Sequence, residues 1–209
     1  MTNLIDLSTL AVFLPAALIL NLTPGSDFLY CLGQGIKGGP LCGVSASFGI
    51  ATGSLIHCLL AAFGLSAVFA LYPVAFEVLR WSGVCYLLWL AYQSIQDSGG
   101  LIIPEEGESR QWLPAWRDGV MVNLLNPKVA IFILAFIPQF IDATKGNPIL
   151  QFLILGLVFN VSGTSVNAVV GLSGARLGNW LRRSPGIARQ LQIISAIVFV
   201  VIAIRLATG

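Results

Sequence analysis

The sequence predicts an all-α integral membrane protein with six transmembrane helices, arranged as two inverted three-helix repeats. Three observations carry that expectation. The first is composition: of 209 residues, 56% are hydrophobic and only 10% charged, where a soluble domain carries about a quarter charged. So few charges cannot cover a water-facing surface, and the excess apolar surface must meet lipid. The second is segment length, because six stretches reach the roughly 20 apolar residues needed to cross the hydrocarbon layer. The third is an odd number of helices on each side of one acidic loop. That count makes the second half enter the membrane in the opposite orientation, a common plan for secondary transporters. A soluble enzyme, a disordered chain and a nucleic-acid binder are excluded, since the net charge is only +2 and no basic tract exists. The chain reads as one transmembrane domain, 1–209, with repeat 1 over about 1–96, a cytoplasmic loop over about 97–115 and repeat 2 over about 116–209.

Helix 1, about 7–33, is not a cleavable signal peptide: its only early charge is Asp6, and its apolar run is too long. Lys37-Gly38-Gly39-Pro40 separates it from helix 2 at about 41–71, and Tyr72-Pro73 precedes helix 3 at about 74–95. The loop with Glu105, Glu106 and Glu108 leads to helix 4 at about 116–141. Helix 5, about 148–173, follows Lys145-Gly146-Asn147-Pro148, and helix 6, about 187–207, follows Arg182-Arg183-Ser184-Pro185-Gly186. Runs such as Leu153-Ile154-Leu155 do not alternate in polarity, which excludes a β-barrel. Lys37, Arg110, Arg117, Arg176, Arg182, Arg183 and Arg189 fall in the odd loops, against Arg80, Lys145 and Arg205 opposite. That imbalance places the odd loops in the cytoplasm and both termini outside.

Polar residues inside apolar spans mark the candidate site. Asn21, Thr23, Pro24 and Gly25 interrupt helix 1, and Asn123, Asn126 and Pro127 interrupt helix 4. A proline removes one backbone donor and leaves the carbonyl four residues earlier unpaired, here those of Leu20 and Asn123. In hydrocarbon such a carbonyl needs a partner in protein or trapped water, so two broken helices with polar neighbours suggest the walls of a cavity. Asp27 and Lys128 are the acid and the base lying well inside predicted spans, and each costs roughly 2.5–3.5 kcal/mol at mid-membrane. An intramembrane ionisable group is a functional-site hypothesis by default; a structural pair, or a lysine reaching for the interface, is the plainer alternative. Helix 2 carries Gly49, Gly53 and His57 at four-residue spacing, where the glycines read as close helix packing. Helix 5 carries Asn160 and Asn167 on one face, either along a water-lined path or in interhelical hydrogen bonds. Cys31, Cys42, Cys58 and Cys85 read as packing residues; no metal site and no cofactor is expected, because no CxxC motif or Cys/His cluster is present.

These residues resemble the LysE family of amino-acid exporters, in particular its RhtB branch of homoserine and threonine efflux proteins. The resemblance is carried by Asn21-Leu22-Thr23-Pro24-Gly25 with Asp27-Phe28-Leu29-Tyr30, and by Gly49-Ile50-Ala51-Thr52-Gly53 with His57. It continues through Gly83 with Tyr86-Leu87, then Asn123-Leu124-Leu125-Asn126-Pro127-Lys128 with Phe136-Ile137-Pro138-Gln139-Phe140. Where the family usually reads Pro-Gly-Pro, this chain has Pro24-Gly25-Ser26, which relaxes the backbone after the break. The resemblance implies export of a small amino acid or derivative from the cytoplasm of a bacterium, through its inner membrane, driven by the proton gradient. The implied partners are that substrate, protons and the lipid bilayer; the sequence does not decide between monomer and homo-oligomer. A primary pump is excluded within the chain because it has no phosphate-binding loop. Gly171-Leu172-Ser173-Gly174 resembles a serine-protease motif, but His57 precedes it in the chain, and a disulfide carrier would need cysteines in both halves. A passive channel or a non-transporting membrane scaffold is the competing expectation.

Overall fold

A computed structural model describes residues 4–71, 73–96 and 111–208, and these are almost entirely helical. In chain order the helices are α1 (Leu7–Leu22), α2 (Ser26–Leu71), α3 (Pro73–Gln96), α4 (Trp112–Leu124), α5 (Pro127–Ile131), α6 (Pro148–Leu172), α7 (Gly174–Arg183) and α8 (Pro185–Thr208). By length and apolar composition, Ser26–Gly64, Pro148–Leu172 and Arg189–Thr208 could each cross a membrane, and the bent pair Trp112–Leu124 with Pro127–Phe140 makes a fourth. Leu7–Leu22 is apolar but shorter. The acidic loop with Glu105, Glu106 and Glu108, and Arg110, lie outside the described residues.

The outward faces are apolar. Leu60 and Phe63 are 68% and 65% exposed on α2, and Ile197, Val201 and Ile204 are exposed along one face of α8. The opposite face of α8 buries Gln192, Ser195, Phe199, Ile202 and Leu206. A helix that is apolar on its exposed side and packed on the other is solvated by lipid, and the fold is that of an integral membrane protein.

Two features separate the helices from the continuous spans expected. The expected helix at 7–33 is divided: α1 ends at Leu22, Thr23 is extended, and α2 starts at Ser26. α2 in turn changes direction at Gly39, whose φ of 76° suits a residue without Cβ, next to Pro40. The second half is divided in the same manner. α4 ends at Leu124, Asn126 caps α5 by accepting from the Lys128 amide, and the two segments meet at 54°. Pro127 therefore stands in the first turn of a new helix, where its missing N–H costs nothing. After α5 the chain passes through a π-helical turn, Phe132–Phe136, and a 3-10 turn, Ile137–Phe140.

The core is built by close approach. α2 packs along both α4 and α6, and α3 along α8. A Cβ on Gly49 would lie 2.1 Å from the Trp116 carbonyl oxygen, and one on Gly43 would lie 2.4 Å from that of Gly171. Below the breaks, Phe13, Phe132, Phe136, Phe140 and Phe159 form a continuous aromatic stack, with centroid separations of 4.7 Å for Phe132–Phe136 and Phe132–Phe159 and 5.3 Å for Phe13–Phe140. Cys31, Cys42 and Cys58 are buried as expected of packing residues, whereas Cys85 is exposed.

Candidate functional site

The two breaks meet. Asp27 lies in the first turn of α2, directly after the first break, and is only 8% exposed. Asn123 and Asn126 flank the second break; the Asn123 amide donates to one Asp27 carboxylate oxygen at 2.9 Å and the Asn126 amide to the other at 2.9 Å. Both donors come from sequence positions about a hundred residues away, so the carboxylate ties the two halves of the chain together. A carboxylate held this way keeps its oxygens satisfied out of water, without a fixed counter-charge.

Lys128 has a different task. Its ammonium donates to the carbonyl oxygens of Leu20 at 3.4 Å and Thr23 at 3.3 Å, the end of α1. No ion pair joins it to Asp27 among the described residues. Gly25 makes room for it, since a Cβ there would stand 3.0 Å from the Lys128 nitrogen. The carbonyls expected to be unpaired at the breaks are not, because the chain closes a tight turn at each break. Leu20 accepts from the Thr23 amide at 3.3 Å as well as from Lys128, and Asn123 accepts from the Asn126 amide at 2.9 Å, with His57 Nε2 at 3.3 Å. His57 therefore reaches the second break from α2 but holds backbone only. Thr23 bonds back to the Ile19 carbonyl at 2.8 Å.

Two cavities adjoin this cluster. The larger, about 380 Å³, is lined by Pro24, Gly25, Asn126 and Lys128, with Tyr86, Trp89 and Gln93 of α3 and Gln192 of α8. The smaller, about 20 Å³, is lined by Asp27, Asn123, Asn21, Ser54, Asn160 and Asn167 among others. Asn21 donates to Ser162 Oγ at 3.0 Å, and Asn160 to the Ala51 carbonyl at 2.8 Å. The residues singled out in the sequence therefore separate into a carboxylate cluster, a lysine facing the large cavity, and asparagines around the small one. Pro127 opens α5 beside them. Ser54, Trp89, Gln192 and Ser195 were not anticipated, and Tyr86 stood only among the residues of the family resemblance. The usable signal was the polar pair Gln192 and Ser195, three apart in an otherwise apolar segment; a lone serine after Gly53 carries none.

Similarity to known proteins agrees with this architecture. The chain is 30% identical to an uncharacterized membrane protein of Vibrio cholerae over 98% of both chains. It is 30% identical to a homoserine/homoserine lactone efflux protein of Salmonella typhimurium, covering 81% of this chain and 82% of the other. It is also 30% identical to a leucine efflux protein of Klebsiella pneumoniae, over 94% and 93% of the two chains. No solved structure matches the chain. The family model for the LysE type translocators matches residues 18–209. That match takes in both helix breaks, the buried carboxylate and the lysine, and the chain belongs to the LysE type translocator family, a transporter and not an enzyme.

Proposed function

We propose that the protein exports small amino acids or their derivatives, of the homoserine, threonine and neutral type, across the bacterial cytoplasmic membrane by antiport with protons. The observation that carries this reading is Asp27, a buried carboxylate held by the Asn123 and Asn126 amides beside a cavity of substrate size. A volume of about 380 Å³ falls within the range of about 300–1,000 Å³ usual for small-molecule sites. Lys128 offers a cation to a substrate carboxylate, while Leu29, Leu90 and Phe199 offer an apolar wall to a side chain. The efflux functions named for the Salmonella and Klebsiella relatives support the same class of cargo.

Asp27 carries the coupling proton in this scheme. Asn126 borders the large cavity while Asp27 borders the small one, so a substrate ammonium reaches the carboxylate when the Asn126 amide gives way. In this scheme the two halves are inverted repeats with Pro24 and Pro127 at equivalent breaks, and the site lies between them. The large cavity extends to Gln93 and Ser94, near the end of α3 that leads into the acidic loop, while the phenylalanine stack fills the other side of the breaks. With the odd loops cytoplasmic, this is an inward-facing arrangement.

The test is efflux of labelled leucine and homoserine from preloaded cells, with and without an uncoupler. Uphill efflux that stops when the proton gradient collapses is the expected result. Efflux that only runs downhill and ignores the uncoupler would identify a passive channel.

A further inference from the structure

We infer that the small cavity behind Asp27 is a binding site for a single dehydrated sodium ion. Its volume of about 20 Å³ holds one body the size of a water molecule and excludes any amino acid. Two oxygens of its lining residues, Asn123 Oδ1 and Ser54 Oγ, are buried without a hydrogen-bond partner, in residues only 1% and 4% exposed. Buried polar atoms left alone are costly and call for a ligand.

The chemistry of the lining says which ligand. The amide nitrogens of Asn21, Asn123 and Asn160 are already engaged, with Ser162, Asp27 and the Ala51 carbonyl. What lacks a partner is oxygen, so the missing group is one that oxygen atoms coordinate. The lining supplies a carboxylate, amides and hydroxyls, with no sulfur or imidazole, which is a donor set for a hard cation. The charge fits a monovalent ion. Asp27 has no ion-pair partner among the described residues, because Lys128 is turned to the Leu20 and Thr23 carbonyls. Lys128 acts on Asp27 through space and already offsets part of the carboxylate's charge, so a monovalent ion adds the smallest surplus charge to a low-dielectric interior and a divalent ion a larger one. Sodium is smaller than a water molecule and potassium about equal to one, so the void admits either by size, and the harder sodium suits its carboxylate, amide and hydroxyl oxygens better.

This inference rests on Asp27 being the ion-carrying carboxylate, and adds a second ion to it. Sodium and the coupling proton then compete for one group, whose titratable neighbours are Lys128, His57 beyond Asn123, and Cys31 one turn along α2.

The experiment is thermal unfolding of the purified full chain in detergent at pH 8, in sodium, potassium or choline chloride at equal ionic strength. Sodium alone should raise the Tm of the wild type along a saturating curve, as a ligand of the native state does. Asp27→Asn should remove that rise. Ser54→Ala should unfold no lower than the wild type in choline, since it deletes an unpartnered hydroxyl, yet need about tenfold more sodium for the same rise. A wild type that responds equally to all three salts overturns the proposal and leaves a water in the cavity. A sodium response that survives unchanged in both variants overturns it too, by placing the ion elsewhere. Neither readout involves efflux, so failure of the export reading would appear separately, in the uncoupler assay.

Discussion

Asp27 accepts from two neutral amides where a cation would be the usual partner for a buried acid, and this determines how substitutions there should behave. Asp27→Asn sets an amide against the Asn123 and Asn126 amides, so at least one donor loses its acceptor. The expected cost is about 1–3 kcal/mol of stability, with loss of driven efflux. Lys128→Gln should also abolish efflux, although its partners are different, the carbonyls of Leu20 and Thr23. Because the two side chains are anchored separately, the double neutral variant should remain as inactive as either single one. Efflux assays on the three variants, normalised to membrane abundance, check this; wild-type efflux from the double variant would reduce the residues to a structural pair. Asp27 and Lys128 were legible in the sequence because a charge within an apolar span is costly enough to need a reason. Ser54 and Gln192 were not, because a neutral polar residue in a helix bonds its own backbone at little cost, as Thr52 does to Phe48.

Helices in this protein are shaped by where the backbone is allowed to stop. The prolines in 7–33 and 116–141 were readable as interruptions, but periodicity cannot tell a bend from two separate segments. Here Thr23 and Asn126 are extended, and the second segments start anew at Ser26 and Pro127. Pro24→Ala and Pro127→Ala should therefore cost less than about 1 kcal/mol yet lower efflux more than membrane abundance, because alanine permits helix where the cavity needs carbonyls. Equal falls in both measures would leave the prolines a purely structural role. The α2–α4 seam obeys a harder limit: Gly49→Val would drive a side chain into the Trp116 carbonyl, 2.1 Å from the Cβ position, and should prevent accumulation of folded protein, seen as loss of the monodisperse peak in detergent. α7 was unexpected, since its segment read as a basic loop. Its ten residues turn Leu181 inward while Arg176 and Trp180 stay exposed, a pattern too short to register as a span.

At the scale of the molecule, one polar clasp joins the start of the chain to its middle. Lys145 pairs with Asp6 and, at 3.4 Å, with Asp142. Hydrogen bonds from the Thr144 hydroxyl and amide hold the Asp142 carboxyl below the usual aspartate range, and the bond to Asp6 raises the Lys145 ammonium above the usual lysine range. The Asp142 contribution is complete above an ordinary aspartate pKa of about 3.9 and is lost as pH falls through its lowered value. The Lys145 contribution is complete below about 10.4 and is lost as pH rises through its raised value. Hydrogen-exchange protection at the start of α1, corrected for the intrinsic pH dependence of exchange, should thus hold between about pH 3.9 and 10.4, falling only below the first as Asp142 protonates and above the second as Lys145 deprotonates. Lys145→Gln should lower it at neutral pH. Helical membrane architecture was legible from composition together with long apolar runs that do not alternate, whereas the sidedness of the clasp depends on the basic residues of the loops. If the odd loops are cytoplasmic, the clasp lies outside, the phenylalanine stack closes the outer path and the large cavity opens inward. In a cysteine-free background, a single cysteine at Thr144 should then react with an impermeant maleimide in intact cells. One at Glu106, in the acidic loop, should react only after the cells are opened. Substrate efflux by each labelling variant controls for misfolding. The reverse pattern would turn the protein over in the membrane, making the arrangement outward-facing, with the large cavity open to the medium.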